Sequence, residues 1–273
     1  MIDVGGRRLH IYQLGDGAPT VVLESGLAAT SLSWRIVQNE VAKFTRVISY
    51  DRAGLGWSDP STAPPTVDRL GEDLHRLLLA AAAPPYILAA HSFGAAIVRA
   101  YASRYCEQVC GLVLVDPIRT EEWMSEEKRR VLRRGAALSR RGAFLARIGL
   151  VGWCLRSLLA GSRFLPKVIG TTAGGRGMPV MNRLAGEVAK MPRELWPMVA
   201  EHWSAPKSFL AMAAQLEALQ GISAAPPLTG LPETLLTPGA GRGHWIQLDQ
   251  PELVIQAIRD LVNLQRDRSA GRP

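Results

Sequence analysis

The apolar run Tyr86–Ala90 passes into a second, helix-compatible run, Gly94–Tyr105, across only His91, Ser92 and Phe93. With no linker between them, a strand must become a helix within one sharp turn. Such a turn strains the backbone of its central residue, Ser92. It also brings strand and helix so close that the residues two before and two after must be small. Ala90 and Gly94 meet that demand, and Ala95 with Ala96 keeps the start of the helix slim. A short strand that is apolar on both faces belongs inside a sheet covered by helices on both sides.

The surrounding sequence repeats this theme. Leu9–Leu14 and Thr20–Glu24 read as strands joined by a turn at Gly15, Asp16 and Gly17, and Thr45–Tyr50, Gly111–Val115 and Glu233–Thr237 read as further strands. Val67, Leu70, Leu74, Leu77 and Leu78 follow a helical period, which predicts an amphipathic helix over 66–82. A closing helix is expected over 251–264, with Asp249 as its cap and Pro251 in its first turn. Short apolar strands alternating with helices predict an α/β fold with a mostly parallel central sheet. After Asp116-Pro117 the texture changes, and to about residue 225 the chain is rich in Arg, Leu, Ala and Trp with few strand-like runs. The expected organisation is a core of residues 1–117 and 226–273 with a helical cap, 118–225, inserted over the carboxyl ends of the strands. Ligands of such sheets bind there.

The formal charge of +8 is unevenly placed. Residues 128–186 hold 13 basic side chains and no acidic one, which leaves 19 basic against 24 acidic residues elsewhere. Three readings of the basic segment stand side by side: solvated arginines on a cap, attraction of anionic substrates, or a cap that rests on an anionic membrane surface. For the last, Phe144, Leu145, Ile148, Leu150, Val151, Trp153 and Leu155 lie beside Arg140, Arg141, Arg147 and Arg156. Nucleic-acid binding is not expected, because no reader motif accompanies the charge. The apolar run 148–160 is interrupted by Arg156 and is too short to span a bilayer. Met1 is not followed by a basic start and an apolar run, so no signal peptide is expected. Three cysteines without a C-x-x-C pair suggest neither a disulfide framework nor zinc. The expectation is a reduced, cytoplasmic protein with no metal and no cofactor.

Ala90-His91-Ser92-Phe93-Gly94, placed between strand and helix, has the context of a nucleophile elbow, with Ala where Gly is more usual. The bland alternative is a buried serine at a tight turn. Three further segments occur in order around it: Ser25-Gly26-Leu27 after a strand, Asp51-Arg52-Ala53-Gly54-Leu55-Gly56-Trp57-Ser58, and Gly243-His244-Trp245 near the carboxyl end. Together they resemble the α/β-hydrolase fold superfamily of serine esterase-like and lipase-like hydrolases, over most of residues 9–117 and 233–264. The resemblance implies that Ser92 is the nucleophile, that His244 is the base, and that the backbone N–H groups of Leu27 and Phe93 hold the oxyanion. His-Gly is commoner than Ser25-Gly26 at that loop. Of the other histidines, His10 and His75 read as solvated, His91 as pointing away from the site, and His202 as part of the insertion.

The acid has two placements in the family. The stretch before His244 is short, as though a strand and its loop were missing, and Glu233 is the one acidic residue there. Asp116, after the strand that follows the elbow helix, occupies the second placement. The order Ser92, Asp116, His244 then fits Ser…Asp…His. Asp116 could instead cap a helix begun by Pro117, and a Ser–His dyad is a further reading. The implied activity is hydrolysis of a small to medium carboxylic ester through an acyl-serine. Perhydrolase, lipase-like or carbon–carbon hydrolase chemistry on the same residues, and a non-catalytic binding or receptor protein of the same fold, are the alternatives. Epoxide hydrolysis and dehalogenation are disfavoured because those chemistries need Asp where Ser92 stands.

Overall fold

The structure, a computed structural model, describes residues 1–119, 125–159, 186–222, 228–239 and 243–271. Its centre is a six-stranded sheet in the order β3 (Ile11–Leu14), β5 (Val47–Tyr50), β4 (Thr20–Glu24), β6 (Tyr86–His91), β7 (Val109–Val115), β8 (Glu233–Leu236). Only the β3–β5 pair is antiparallel; the rest of the sheet is parallel. The run expected as one strand over 9–14 is broken at His10. Its first part forms β2 (Arg8–Leu9), which pairs with β1 (Ile2–Asp3) in a separate ribbon closed by Gly5 and Gly6.

Strand alternation buries both faces of the sheet. Val22, Ile48, Leu88 and Leu112 pack against Leu74, Leu77 and Leu78 of α2 (Val67–Ala81) and Val98 and Tyr101 of α3 (Gly94–Arg104). Val21, Val47, Ile87 and Val113 pack on the other face against Val37 and Val41 of α1 (Arg35–Val41) and Val254, Ile258 and Val262 of the carboxyl-terminal helix Pro251–Ala270. Thr66 caps α2, its hydroxyl accepting the N–H of Arg69 at 3.2 Å. Asp249 does not cap the last helix. Gln250 occupies that position without a side-chain bond, and Asp249 instead pairs with Lys190 at 2.6 Å. The cation is the stronger competitor for its carboxylate.

Between β7 and β8 every described element is helical: α4 (Glu126–Arg147), α5 (Leu150–Leu159), α6 (Trp196–Ser204) and α7 (Pro206–Ala218), with α8 (Ile246–Asp249) and α9 (Pro251–Ala270) following β8. Helix α4 lies along α7, and α5 along α6. Leu132 of α4 and Ala218, Leu219 and Ile222 at the end of α7 close over Leu27, Phe93 and Ile97 of the core. Among the described residues no helix is long and apolar enough to cross a membrane.

Candidate active site

Ser92 stands between β6 and α3 with φ +52°, the left-handed strain that the strand-to-helix turn demands. The turn is held by Ser92 N–H to Val115 O at 3.0 Å and by Ala95 N–H to Ser92 O at 3.1 Å. Gly94 has no room for a side chain: a Cβ there would meet the carbonyl oxygens of Ser25 and Glu24 at 2.7 and 2.9 Å. Gly26 is equally constrained, since its Cβ would lie 2.6 Å from Nδ1 of His91. The elbow and the Ser25-Gly26-Leu27 loop therefore touch because both carry glycine at the point of approach.

Three of the residues singled out in the sequence meet here. Nε2 of His244 lies 3.0 Å from Ser92 Oγ, and its Nδ1 lies 2.5 Å from Asp116 Oδ2. Asp116 follows β7 with φ +42°, and its N–H donates to Leu236 O at 2.7 Å, so the end of β8 fixes its turn. No helix begins at Pro117 among the described residues through Arg119, so Asp116 is not a cap there. Glu233 lies at the opposite end of β8. It is paired in register with Leu112, four residues before Asp116, or about 13 Å along the strand. Its carboxylate bonds Arg99 at 2.6 Å instead.

The N–H groups of Leu27 and Phe93 donate to no described residue. What orients the first of them was not legible in the motif that contains Arg52. Arg52 is buried, and its guanidinium donates to the carbonyl of Ser25 at 2.6 Å, to the carbonyl of Gly26, and to Glu24. In a trans peptide the C=O and the following N–H point opposite ways. Holding Gly26 O toward Arg52 therefore turns the Leu27 N–H outward. Burial raises the carboxyl of Glu24, although Arg52 and the Tyr50 hydroxyl both bond it and oppose that shift. Gln215 of α7 accepts from both Arg52 (3.2 Å) and Ala28 N–H (3.0 Å), tying the cap to this loop. Asp51 fixes the next stretch by accepting the N–H of Ser31 at 2.8 Å. Its burial favours the neutral acid, but bonds from His10, Ser31 and Trp57 outweigh it and hold the carboxyl below its usual range.

Four histidines behave otherwise than expected or lie apart. His10 faces Asp51 Oδ2 at 3.0 Å and packs on Trp57, while His75 stacks on Tyr105 at 3.8 Å; neither is simply solvated. His202 packs edge-on against Trp57. His91 does not point away from the site. Its buried ring lies 4.6 Å from that of His244, and Nε2 donates to the carbonyl of His244 at 3.0 Å. Burial first, then the charges of His244 and Arg52, lower its pKa to about 3. The ring is neutral at neutral pH and must be protonated on unfolding in acid. Its contribution to stability is complete above about pH 6.5 and is lost as pH falls toward 3. Thermal unfolding should accordingly show the wild type losing stability between about pH 6.5 and 4 more steeply than His91→Asn. Parallel slopes would assign the acid sensitivity elsewhere.

A cleft of about 1380 Å³ opens beside Asp116 and His244, lined also by Ala95, Arg99, Leu235 and Thr237. Ser92 is not among the residues that line it. The described residues contain no cluster of ligands suited to a metal ion.

Residues 19–141 match the family model described as alpha/beta hydrolase fold. Two solved structures share the fold over nearly the whole chain. A thermophilic esterase from Thermogutta terrifontis has a TM-score of 0.60 at 21% identity, covering 94% of this chain and 93% of that one. A variant of an epoxide hydrolase from Bacillus megaterium has a TM-score of 0.66 at 16% identity, covering 96% of this chain and 99% of that one. This is an α/β-hydrolase fold. Among curated proteins, the uncharacterized protein YqjL of Bacillus subtilis is 35% identical over 107 residues, which is 39% of this chain. That match spans 42% of the relative's length. The α/β-hydrolase likeness in sequence is thus carried by the amino-terminal half, where the elbow and its two flanking loops lie. It carries the fold and, at these identities, no particular activity.

Proposed function

We propose that this α/β hydrolase cleaves a small to medium carboxylic ester through an acyl-serine intermediate. The observation that carries the reading is the 3.0 Å contact between Ser92 Oγ and His244 Nε2, with Asp116 on the other ring nitrogen. With Nδ1 protonated and bonded to Asp116, Nε2 takes the Ser92 proton as Oγ attacks the ester carbonyl. The oxygen that becomes negative faces the N–H groups of Leu27 and Phe93 and the start of α3, each donor worth about 10²–10³ in rate. His244 then returns the proton to the departing alcohol. Water, deprotonated by His244, releases the acid and restores Ser92. A neutral His91 beside His244 keeps a second positive charge away from the imidazolium as it forms.

Leu27, Phe93, Leu132, Leu219 and Ile222 around the elbow favour an apolar acyl or alcohol group. Ser92 itself separates the chain from epoxide chemistry on the same fold, which needs Asp at the elbow. The test is release of a chromogenic alcohol from esters of increasing acyl length. Steady turnover with an optimum at short to medium chains is expected. If a fluorophosphonate labels Ser92 while no ester is turned over, the serine chemistry stands and the ester reading falls.

A further inference from the structure

The exposed apolar and basic side chains around Gly149 in the cap are not among those that form the site. Helix α4 buries Leu132, Ala136, Ser139, Ala143 and Ala146 on one face. On the opposite side the spacing places Arg134, Leu138, Arg141, Leu145 and Ile148 in one exposed stripe. At its end Gly149, with φ +79°, turns the chain into α5. The corner so formed presents Phe144 (66% exposed), Ile148 (62%) and Trp153 (56%), together with Leu145 and Leu150. Not all of the apolar run is outward: Leu155 and Cys154 are buried, so α5 has a packed face and an open one. Large apolar side chains exposed together on either side of one helix–helix turn mark a contact surface, whereas scattered ones would not.

The charges decide the occupant. Arg134, Arg141, Arg147 and Arg156 make no ion pair with any described residue, and no acidic residue lies anywhere in 128–186. A second copy of the chain would bring the same guanidinium groups against these. An anionic bilayer offers both kinds of partner: an acyl boundary for Phe144, Ile148 and Trp153, and lipid phosphates for Arg141 and Arg147, which are exposed beside them in the chain. We infer that the α4–α5 corner of the cap docks on anionic lipid surfaces.

Binding is independent of turnover, so it is tested by sedimentation of the full chain with vesicles, not by activity. Vesicles of phosphatidylglycerol and phosphatidylcholine should carry the protein down at low salt, and binding should fall steeply as salt screens the charge. Pure phosphatidylcholine should bind much less. Phe144→Ser with Trp153→Ser should weaken partitioning roughly 10-fold or more, the loss expected from removing two buried aromatic side chains. Arg141→Glu with Arg147→Glu should do the same through the salt-sensitive part. All four side chains are exposed, so hydrolysis of a water-soluble ester should be unchanged in both pairs and serves as the check on folding. Equal binding to both kinds of vesicle, or binding indifferent to both double variants, overturns the inference. So does a wild type that sediments as a dimer, becomes monomeric in Phe144→Ser with Trp153→Ser, and ignores lipid.

Discussion

Replacing Ser92 with Ala should abolish hydrolysis, with a loss on the order of 10⁴-fold or more in kcat, and leave the melting temperature nearly unchanged. The two halves of this expectation have separate causes. The hydroxyl has one side-chain partner, His244, and the turn is held by backbone bonds to Val115 and Ala95 that Ala preserves. Alanine at φ +52° is strained, but so is serine, and the surrounding β6 and α3 determine the conformation in both. The proposed catalysis, by contrast, loses the atom that would form the covalent bond. Under the proposed mechanism, whatever remains comes from the Leu27 and Phe93 N–H groups and from substrate binding. A fluorophosphonate should label the wild type and spare the variant. Labelling that persists in Ser92→Ala would place the nucleophile on another side chain.

Ser92 was legible because its requirements are local. The apolar strand, the small residues at 90 and 94 and the following helix all lie close together in the chain, and the contacts of Gly94 with Ser25 O and Glu24 O show why the pattern is needed. Features set by distant pairings were not legible. Arg52 holds the carbonyl of Gly26, 26 residues away, and no periodicity announces such a bond. His91 was misread as turned from the site. It ends β6 and its ring meets the His244 loop, which joins the site from 153 residues further on. Asp249 failed as a cap for a similar reason, since Lys190 comes from the cap and not from the local sequence. The two-helix corner of the cap was half legible: its composition marked it, but only packing divides Phe144, Ile148 and Trp153 from the buried Cys154 and Leu155.

The sequence leaves two carboxylates open as the acid, and the β7–β8 register sets Asp116, and not Glu233, beside His244. Asp116→Asn should lower kcat by about 10³- to 10⁴-fold with little change in thermal stability. Asn has the size of Asp and tolerates the left-handed backbone at φ +42° equally well, so the turn and the N–H bond to Leu236 O survive. What disappears is the negative charge 2.5 Å from Nδ1 of His244. The imidazolium that forms as Ser92 loses its proton is then unsupported. The Asn amide can also donate to Nδ1, which places the ring proton on Nε2 and removes the base. Alanine would confuse the test, because it adds backbone strain to the loss of charge. If Asp116 served only to shape the turn, Asn would be nearly silent in kcat. Glu233→Gln is the matching control. It loses a half-exposed pair with Arg99, worth about 0–1 kcal/mol, at the wrong end of β8 to reach the histidine, and its kcat should stay close to wild type. A near-normal Asp116→Asn beside an inactive Glu233→Gln would require β8 to be paired in another register, with Glu233 brought to His244.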